Sequence, residues 1–406
     1  MVDATPAPPD RLAGSPLSGV RVIDLSRLLP GPYASLVLAD MGAEVIKIEA
    51  PDGGDYLRWM PPLTDGAGPG GGGAKVSWAF FSLNSGKRSL AVDLKRPEGA
   101  EVLRRLVAQA DVLIESFRPG VMDRLGLGYD VLAALNPRLV YCAITGYGQT
   151  GPYRDAPGHD LDYMALAGAL GLAGPADRPP HVLPVQVADI GGSLWGLVAI
   201  LSALHARHAT GRGRYLDISM TDGVTGFLTA ALAAHVGAGA PPPRRGADVL
   251  TGGQAGYRTY QTKDGGFLAV APLEPKFWAA FCQKIERPQW LKRQFDPSLV
   301  GELEALFLER TRAEWESLLA NSDAMVEPVL RPDEVASHPL HVARGLVIET
   351  PEGLKRLRTP TRSPDAPPPG RAPGLGEDTR AILAELGYDE TAVAALVSAR
   401  VVSAPA

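Results

Sequence analysis

The sequence predicts an α/β fold: a large domain with an open, mostly parallel sheet, followed by a smaller α+β domain. Three observations support this prediction. Short apolar runs alternate with longer helical stretches through the first part of the 406-residue chain. Helical stretches begin at Pro or end at Gly, as is typical of helix ends. A Pro- and Gly-rich stretch, residues 237–246, then separates the two parts of the chain.

The large domain is predicted over residues 15–225. It opens with the strand "VRVIDLS" (20–26), the helix "PYASLVLADMG" (32–42) and the strand "EVIKIE" (44–49), which together form a βαβ unit with parallel strands. The alternation continues with the strands "RSLAVDLK", "DVLIESF" and "LVYCAITGY" and the helical stretches "PEGAEVLRRLVAQA" and "VMDRLGLGYDVLAALN". We therefore expect a Rossmann-like sheet over residues 17–150.

A long apolar helix is predicted over 190–210, and "LDISMTDGVTGFLTAALAAHV" adds a strand and a helix. The small α+β domain is predicted over 240–335. It starts with the antiparallel hairpin "YRTYQTKDGGFLAVA", whose turn is at Asp264-Gly265, and continues with helices to about residue 320. Residues 336–406 are predicted to be a linker and a C-terminal helix, "EDTRAILAELGY", that returns to the large domain.

Composition excludes several classes of protein. A net charge of −5 gives no reason to expect nucleic acid or an anionic membrane as a partner. The two cysteines, Cys142 and Cys282, fit a reducing compartment, and the histidines lack zinc-site spacing. The longest apolar run, 194–204, is too short to span a bilayer. We expect a cytoplasmic protein that binds no metal.

Two segments have no predicted chemistry. Residues 1–14 are predicted to be a disordered lead-in. The Gly-rich stretch 65–74, "DGAGPGGGGA", is predicted to be a mobile surface insertion, because no Lys-Ser or Lys-Thr follows it as in a phosphate-binding loop. Glu49 ends a strand where dinucleotide-binding proteins place a ribose-binding acid. Without a glycine fingerprint, we expect it to be a solvated strand end.

Three acids and one base stand where helices are predicted to begin. His159 and Asp160 follow Pro157-Gly158, Asp189 precedes Gly191 and Gly192, and Glu274 precedes Pro275. Acidic residues at a helix start commonly cap unpaired N–H groups, so each position is open to a capping or a chemical interpretation. Basic residues at strand ends are either solvated or hold a phosphorylated ligand: Lys47, Lys87, Arg88, Lys95, Arg118 and Arg124.

Longer blocks of sequence resemble a known family. They are "SGVRVIDLSRLLPGPYASLVLADMGAEVIKIEAP", "SGKRSLAVDLK", "DVLIESFRPGVMDRLGLGYDVL", "NPRLVYCAITGYGQTGPYRDAPGHDLDY" and "GRYLDISMTDG". These blocks closely resemble the family III CoA-transferases, a superfamily that also contains the α-methylacyl-CoA racemases. The resemblance covers about residues 17–388.

The resemblance implies two alternative chemistries for an acyl-CoA thioester. In the racemase branch, "GHDLDY" matches the motif of the catalytic histidine (His159), "VADIGGS" that of its partner acid (Asp189), and "EP" that of a second acid (Glu274). In the transferase branch, the residue matched by Asp160 is the covalent nucleophile. The racemase, an isomerase of fatty acid metabolism, is the favoured prediction; a protein that binds CoA without turnover is the third.

The same resemblance implies how coenzyme A is held. CoA is part of the substrate and no prosthetic group is expected. The matching positions are Val92, Asp93, Leu94, Lys95, Ser116, Phe117, Arg118, Arg124, Gly158 and Tyr163. Such racemases often have an arginine where Ala50 stands, for which Lys47 or Lys87 would compensate. The family forms interlocked homodimers, so Glu274 serves either its own site or that of the partner subunit.

Overall fold

The computed structural model describes residues 15–64, 75, 77–364 and 366–405. The predictions for the lead-in at 1–14 and for the insertion at 65–74 lie outside these residues. The described chain divides into two compact units. Unit 1 comprises the described residues up to 163, together with 186–224 and those from 339 onwards; unit 2 comprises 164–185 and 225–338.

The strands are β1 (Arg21–Asp24), β2 (Glu44–Glu49), β3 (Arg88–Val92), β4 (Val112–Glu115), β5 (Val140–Thr145), β6 (Arg214–Ser219), β7 (Arg258–Gln261), β8 (Phe267–Val270), β9 (Val326–Pro328), β10 (Val347–Glu349), β11 (Lys355–Leu357) and β12 (Val402–Ser403).

The helices are α1 (Pro30–Asp40), α2 (Trp78–Asn84), α3 (Pro97–Val107), α4 (Val121–Arg124), α5 (Tyr129–Leu135), α6 (Asp160–Leu166), α7 (Val187–Thr210), α8 (Met220–Phe227), α9 (Thr229–Ala238), α10 (Pro275–Lys284), α11 (Leu299–Phe307), α12 (Arg312–Leu319), α13 (Pro332–Val335), α14 (Pro339–Ala343), α15 (Thr379–Glu385) and α16 (Glu390–Ser398).

Unit 1 is built on a seven-stranded sheet in the order β12-β3-β2-β1-β4-β5-β6. All neighbours pair in parallel except β12, which runs antiparallel to β3. The predicted open, mostly parallel sheet is therefore confirmed. Strands such as β4 and β5 are buried at every residue, as expected when helices cover both faces of a parallel sheet.

Helix α7 packs in the core of unit 1 against α1, β5 and β6. It contains the apolar run 194–204 but extends to 24 residues, which is long and apolar enough to cross a membrane by length and composition alone. Half of its most apolar stretch is buried inside the protein, as in the core helix of a folded domain. The apolar run is too short to span a bilayer, but the whole helix is not.

Unit 2 contains the sheet β7-β8-β9, in which both pairs of strands are antiparallel. The predicted hairpin is confirmed, and Gly265 in its turn has a φ of 81°. The large domain was predicted to run unbroken over 15–225, but residues 164–185 group with unit 2. There Arg245 donates hydrogen bonds to the carbonyls of Pro175 and Arg178, which joins this segment to the residues after α9.

Two further predictions are wrong in detail. The helical stretch 121–136 is two helices, α4 and α5, because Gly126 adopts a φ of 68° between them. The chain does not close with the predicted helix near residue 387. Helix α16 and strand β12 follow α15, and β12 adds an edge to the sheet by pairing with Ala91 and Val92.

Candidate active site

A cavity of about 700 Å³ opens at the carboxyl ends of the parallel strands of unit 1. The sheet order reverses direction between β1 and β4, and ligands of open α/β sheets bind at such a switch point. The wall includes Arg27 and Leu28 after β1, and Ser116, Phe117 and Arg118 after β4. The cavity therefore lies where this fold places a ligand.

His159 lines the cavity at the start of α6. Its backbone N–H donates to the carboxylate of Asp162 (2.9 Å), and its carbonyl accepts the N–H of Asp162 (2.9 Å). This reciprocal pair ends the preceding turn and starts the helix, in the manner of a capping box. The imidazole is not needed for the cap and is part of the cavity wall.

Asp160 caps a helix, but not its own. Its Oδ1 accepts the N–H groups of Ala188 (2.6 Å) and Asp189 (3.2 Å), which belong to the first turn of α7. Four N–H groups at a helix start lack partners within the helix, and a carboxylate there is stabilising. Asp160 thus joins the start of α6 to the start of α7, and it is not among the residues that line the cavity.

Asp189 lines the same cavity as His159, from the first turn of α7. Burial raises the pKa of its carboxyl to about 6, and the nearby Asp160 carboxylate adds to the rise, while His159 acts in the opposite direction. A group with a pKa close to neutral can both take and return a proton. The structure therefore brings the predicted base and its partner acid into one cavity from two different helices.

Tyr163 lines the cavity and packs against Gly146 and Gly158. Its hydroxyl donates to the Gly158 carbonyl, and burial raises the pKa of Tyr163 to about 12. Cβ atoms added at Gly146 and Gly158 would lie 2.3 Å and 2.6 Å from the Tyr163 ring. Only glycine fits at these two positions, which explains why glycine precedes the histidine.

Cations line one side of the cavity. Arg118, predicted to bind CoA, is part of the wall together with Arg154 and Arg27, which sequence reasoning missed. A Cβ at Gly120 would be 3.3 Å from a guanidinium nitrogen of Arg124 and 3.5 Å from one of Arg154, so these two side chains flank one glycine. Such a group of guanidinium side chains suits phosphate oxygens.

Other predicted cations are not available to a ligand. Lys47 and Lys87 are fully buried, where they pair with Asp55 (3.0 Å) and Asp24 (3.3 Å). The prediction that they replace an arginine at position 50 is therefore wrong, since a buried ammonium group needs its partner. Arg88 also has partners within the protein: it pairs with Glu44 (2.7 Å) and with Glu385 on α15 (2.7 Å).

Glu49 was predicted to be a solvated strand end, and this prediction is wrong. Its side chain is buried and accepts hydrogen bonds from Arg58 Nη2 (2.6 Å) and Ser89 Oγ (2.8 Å). Burial alone would raise the pKa of Glu49, but the hydrogen bonds and charge of Arg58 outweigh it and lower the pKa. The Glu49 carboxylate is therefore a buried structural group, paired with Arg58 and Ser89.

The remaining predicted residues lie elsewhere. Val92 is buried in β3, so its side chain is not exposed to a ligand; Asp93 and Leu94 are half-buried, and Lys95 is exposed. Glu274 is exposed in unit 2 at the start of α10 and makes no side-chain cap. Among the described residues, no group of three or more His, Cys, Asp or Glu is placed to hold a metal ion.

A family model described as CoA-transferase family III matches residues 17–379. The chain belongs to this family. Mouse (Mus musculus) alpha-methylacyl-CoA racemase is 36% identical over 397 residues, which cover 95% of this chain and 97% of that protein. Mouse succinyl-CoA:glutarate CoA-transferase is 33% identical over 408 residues, covering 95% and 90%. Both chemistries are thus represented among similar proteins.

Solved structures agree with the fold. A CAIB/BAIF family protein from Brucella suis superposes with a TM-score of 0.80 at 35% identity, covering 92% of this chain and 100% of that one. The protein is therefore an enzyme of the CoA-transferase III family, whose members act on CoA thioesters. In this family member, the cavity at the switch point combines an acid–base pair with a cationic wall.

Proposed function

We propose that the protein is an acyl-CoA racemase that moves a proton between the two faces of the α-carbon of a 2-methylacyl-CoA thioester. One observation carries the proposal: His159 and Asp189 reach a single cavity from the starts of two helices. Racemisation by proton transfer needs two groups, one on each face of the carbon, each able to act as acid or base.

The proposed reaction conserves the proton count. One of the two groups removes the α-proton, whose electron pair moves into an enolate of the thioester, and the other group donates a proton to the opposite face. The enolate oxygen needs positioned hydrogen-bond donors. We assign this role to the first-turn N–H groups of α6, which directly follow the cavity-lining His159; those of Asp160 and Leu161 have no acceptor within the described residues. The guanidinium groups of Arg118 and Arg154 hold the CoA phosphates.

Incubation of one enantiomer of a 2-methylacyl-CoA in D2O tests this function. We expect deuterium at the α-carbon and formation of the other enantiomer, with no added carboxylic acid. Transfer of CoA to an added carboxylate without any exchange would reject the racemase.

The second candidate is a CoA-transferase that uses Asp160 as nucleophile. One observation favours it: Asp160 is half-buried, and within the described residues its Oδ2 has no hydrogen-bond partner. In that reaction the carboxylate attacks the thioester carbonyl and releases the CoA thiolate, giving an acyl anhydride on the enzyme. Hydroxylamine traps this anhydride, so labelling of Asp160 during turnover would support the transferase.

We also propose a homodimer in which the subunits interlock. Helix α9 is apolar yet exposed along most of its length, with Val236 78% exposed, and Phe227 just before it is 49% exposed. Apolar surface of this kind marks an interaction site. If Glu274 completes the partner's site, mixing His159→Ala and Glu274→Ala subunits restores activity that neither variant has alone. Mixed dimers that stay inactive would place Glu274 in its own subunit's site.

A further inference from the structure

Arg27 and Leu28 form the cavity wall after β1, and Ser26 is buried directly before them. In each of these three residues a backbone group makes a hydrogen bond to a side chain. The Ser26 carbonyl accepts a hydrogen bond from Lys47 Nζ (2.9 Å). The Arg27 N–H donates to Ser116 Oγ (3.2 Å). The Leu28 N–H donates to the two carboxylate oxygens of Asp55 (3.2 Å and 3.3 Å). Side chains from three different places in the chain therefore hold this segment of three successive residues.

Leu28 has a strained backbone conformation, which these hydrogen bonds hold in place. Its φ is 61°, in the left-handed region that branched and bulky residues avoid. A backbone of this kind persists only when its surroundings determine it, and such positions cluster where ligands bind. Asp55 supplies the contact to the Leu28 N–H itself. Without it, we expect the segment to relax to an ordinary backbone conformation and to move the cavity wall.

Asp55 connects the segment to two further parts of the wall. Its Oδ2 pairs with Lys47 (3.0 Å), and the side chains are 1% and 0% exposed. Its Oδ1 accepts the Leu57 N–H (3.0 Å), which caps the short helical turn carrying Tyr56. Tyr56 lines the cavity and its hydroxyl accepts a hydrogen bond from Arg27 (3.3 Å). The Asp55 carboxylate therefore fixes the positions of Leu28 and Tyr56, the two cavity-lining residues next to Arg27.

We propose that Asp55 is a positioning residue for CoA thioesters, acting through the left-handed Leu28 backbone that it holds. Asp55 is buried behind the wall and does not line the cavity. Buried ion pairs often add little net stability, since desolvation offsets attraction, so fold stability alone is a weak reason for this pair. The inference rests on the proposed function only in taking a CoA thioester as the ligand.

Titration of free CoA into Asp55→Ala, followed by calorimetry, tests the role without requiring turnover. We expect CoA affinity to fall about tenfold, as for loss of a hydrogen bond to a charged group. Adding Leu28→Gly is expected to recover at least about threefold, because glycine adopts a positive φ without strain. A residue that only supports folding would show no such recovery.

Asp40→Asn is the matched control. Asp40 is also a buried acid, paired with Arg356 (2.5 Å) and Arg362 (2.9 Å), and it does not line the cavity. We expect it to lower thermal stability and to leave CoA affinity unchanged. If Asp55→Ala does not fold, Asp55→Asn shows the same pattern at lower amplitude, with about threefold weaker binding reversed by Leu28→Gly.

Three results would overturn the proposal: wild-type affinity in both Asp55 variants, no recovery with Leu28→Gly, or an equal loss in Asp40→Asn. Failure of the proposed racemase function can be distinguished from failure of this proposal about Asp55. Suppose that the enzyme neither exchanges the α-proton nor transfers CoA, but that the CoA affinities of its variants follow this pattern. The proposed racemase function is then wrong, and the positioning role of Asp55 stands.

Discussion

The carboxylate of Asp160 accepts the backbone N–H of Asp189, with 3.2 Å between oxygen and nitrogen. This contact joins the two helix starts that carry the proposed acid and base, because His159 immediately precedes Asp160 in the chain. The adjacent acid and base therefore have different places in the structure: His159 lines the cavity, and the Asp160 carboxylate caps the first turn of α7.

Substitution of Asp160 separates the two candidate reactions. Asp160→Asn keeps an oxygen that can accept the α7 N–H groups, so a racemase retains most of its exchange. Asp160→Ala removes the cap and lowers the free energy of unfolding by about 1 kcal/mol. Urea unfolding and D2O exchange measure the two effects. Complete loss of activity in the Asn variant, with stability intact, would indicate a nucleophilic carboxylate.

Asp189 makes stability depend on pH. Its pKa in the folded protein, about 6, lies above the ordinary value of 3.8, so between these values the folded state holds a proton that the unfolded state has lost. This contribution to stability is full at low pH and falls as pH rises through about 6. The free energy of unfolding of Asp189→Asn, minus that of wild type, is expected to rise by about 2 kcal/mol between pH 4 and pH 7. A pH-independent difference would contradict the raised pKa.

Arg154 is predicted to bind CoA phosphates. Arg154→Ala is expected to raise the KM for acyl-CoA about tenfold with kcat almost unchanged, and the effect is expected to shrink at high salt. Arg212→Ala, an exposed arginine outside the cavity wall, is the control. Steady-state kinetics at two salt concentrations measures this. An equal rise in KM in both variants would show that Arg154 does not bind the CoA phosphates.

Gly158 is predicted to tolerate no side chain. The Cβ of Gly158→Ala would lie 2.6 Å from the Tyr163 ring and 2.9 Å from the Tyr147 hydroxyl oxygen, so His159 must shift. We expect the free energy of unfolding to fall by about 1–3 kcal/mol and exchange to decrease strongly. A Cβ at Gly301, in α11, meets no atom within 4 Å, so Gly301→Ala is the neutral comparison. Normal activity in Gly158→Ala would show that the ring can move aside.

Local patterns predicted much of the sheet. The strand 44–49 has the predicted bounds, because a short run rich in Val and Ile after a helix ending in Gly is a strong signal. The two-residue strand β12 had no such signal, since it exists only through its pairing with β3. Lys47, Lys87 and Glu49 are buried because they pair with residues distant in the sequence. Charged residues at strand ends are usually exposed to solvent, so their local sequence did not indicate this.

The candidate site was partly predictable for the same reason. His159 stands out because it follows Pro157-Gly158 at a predicted helix start, and Asp189 because it precedes Gly191 and Gly192 at another. Arg154 and Arg27 have no local pattern of their own, and they join the cavity only through the fold. That Asp160 caps α7 and not α6 depends on a contact between Asp160 and Ala188, which are 28 residues apart in the chain.

We propose that His159 and Asp189 act on opposite faces of one carbon. The most direct test is α-proton exchange in D2O of the separate enantiomers of a 2-methylacyl-CoA, with the variants His159→Ala and Asp189→Asn. We predict that each variant exchanges only one enantiomer, that the enantiomer differs between the variants, and that neither variant racemises its substrate. Exchange of the same enantiomer by both variants would show that His159 and Asp189 do not act on opposite faces.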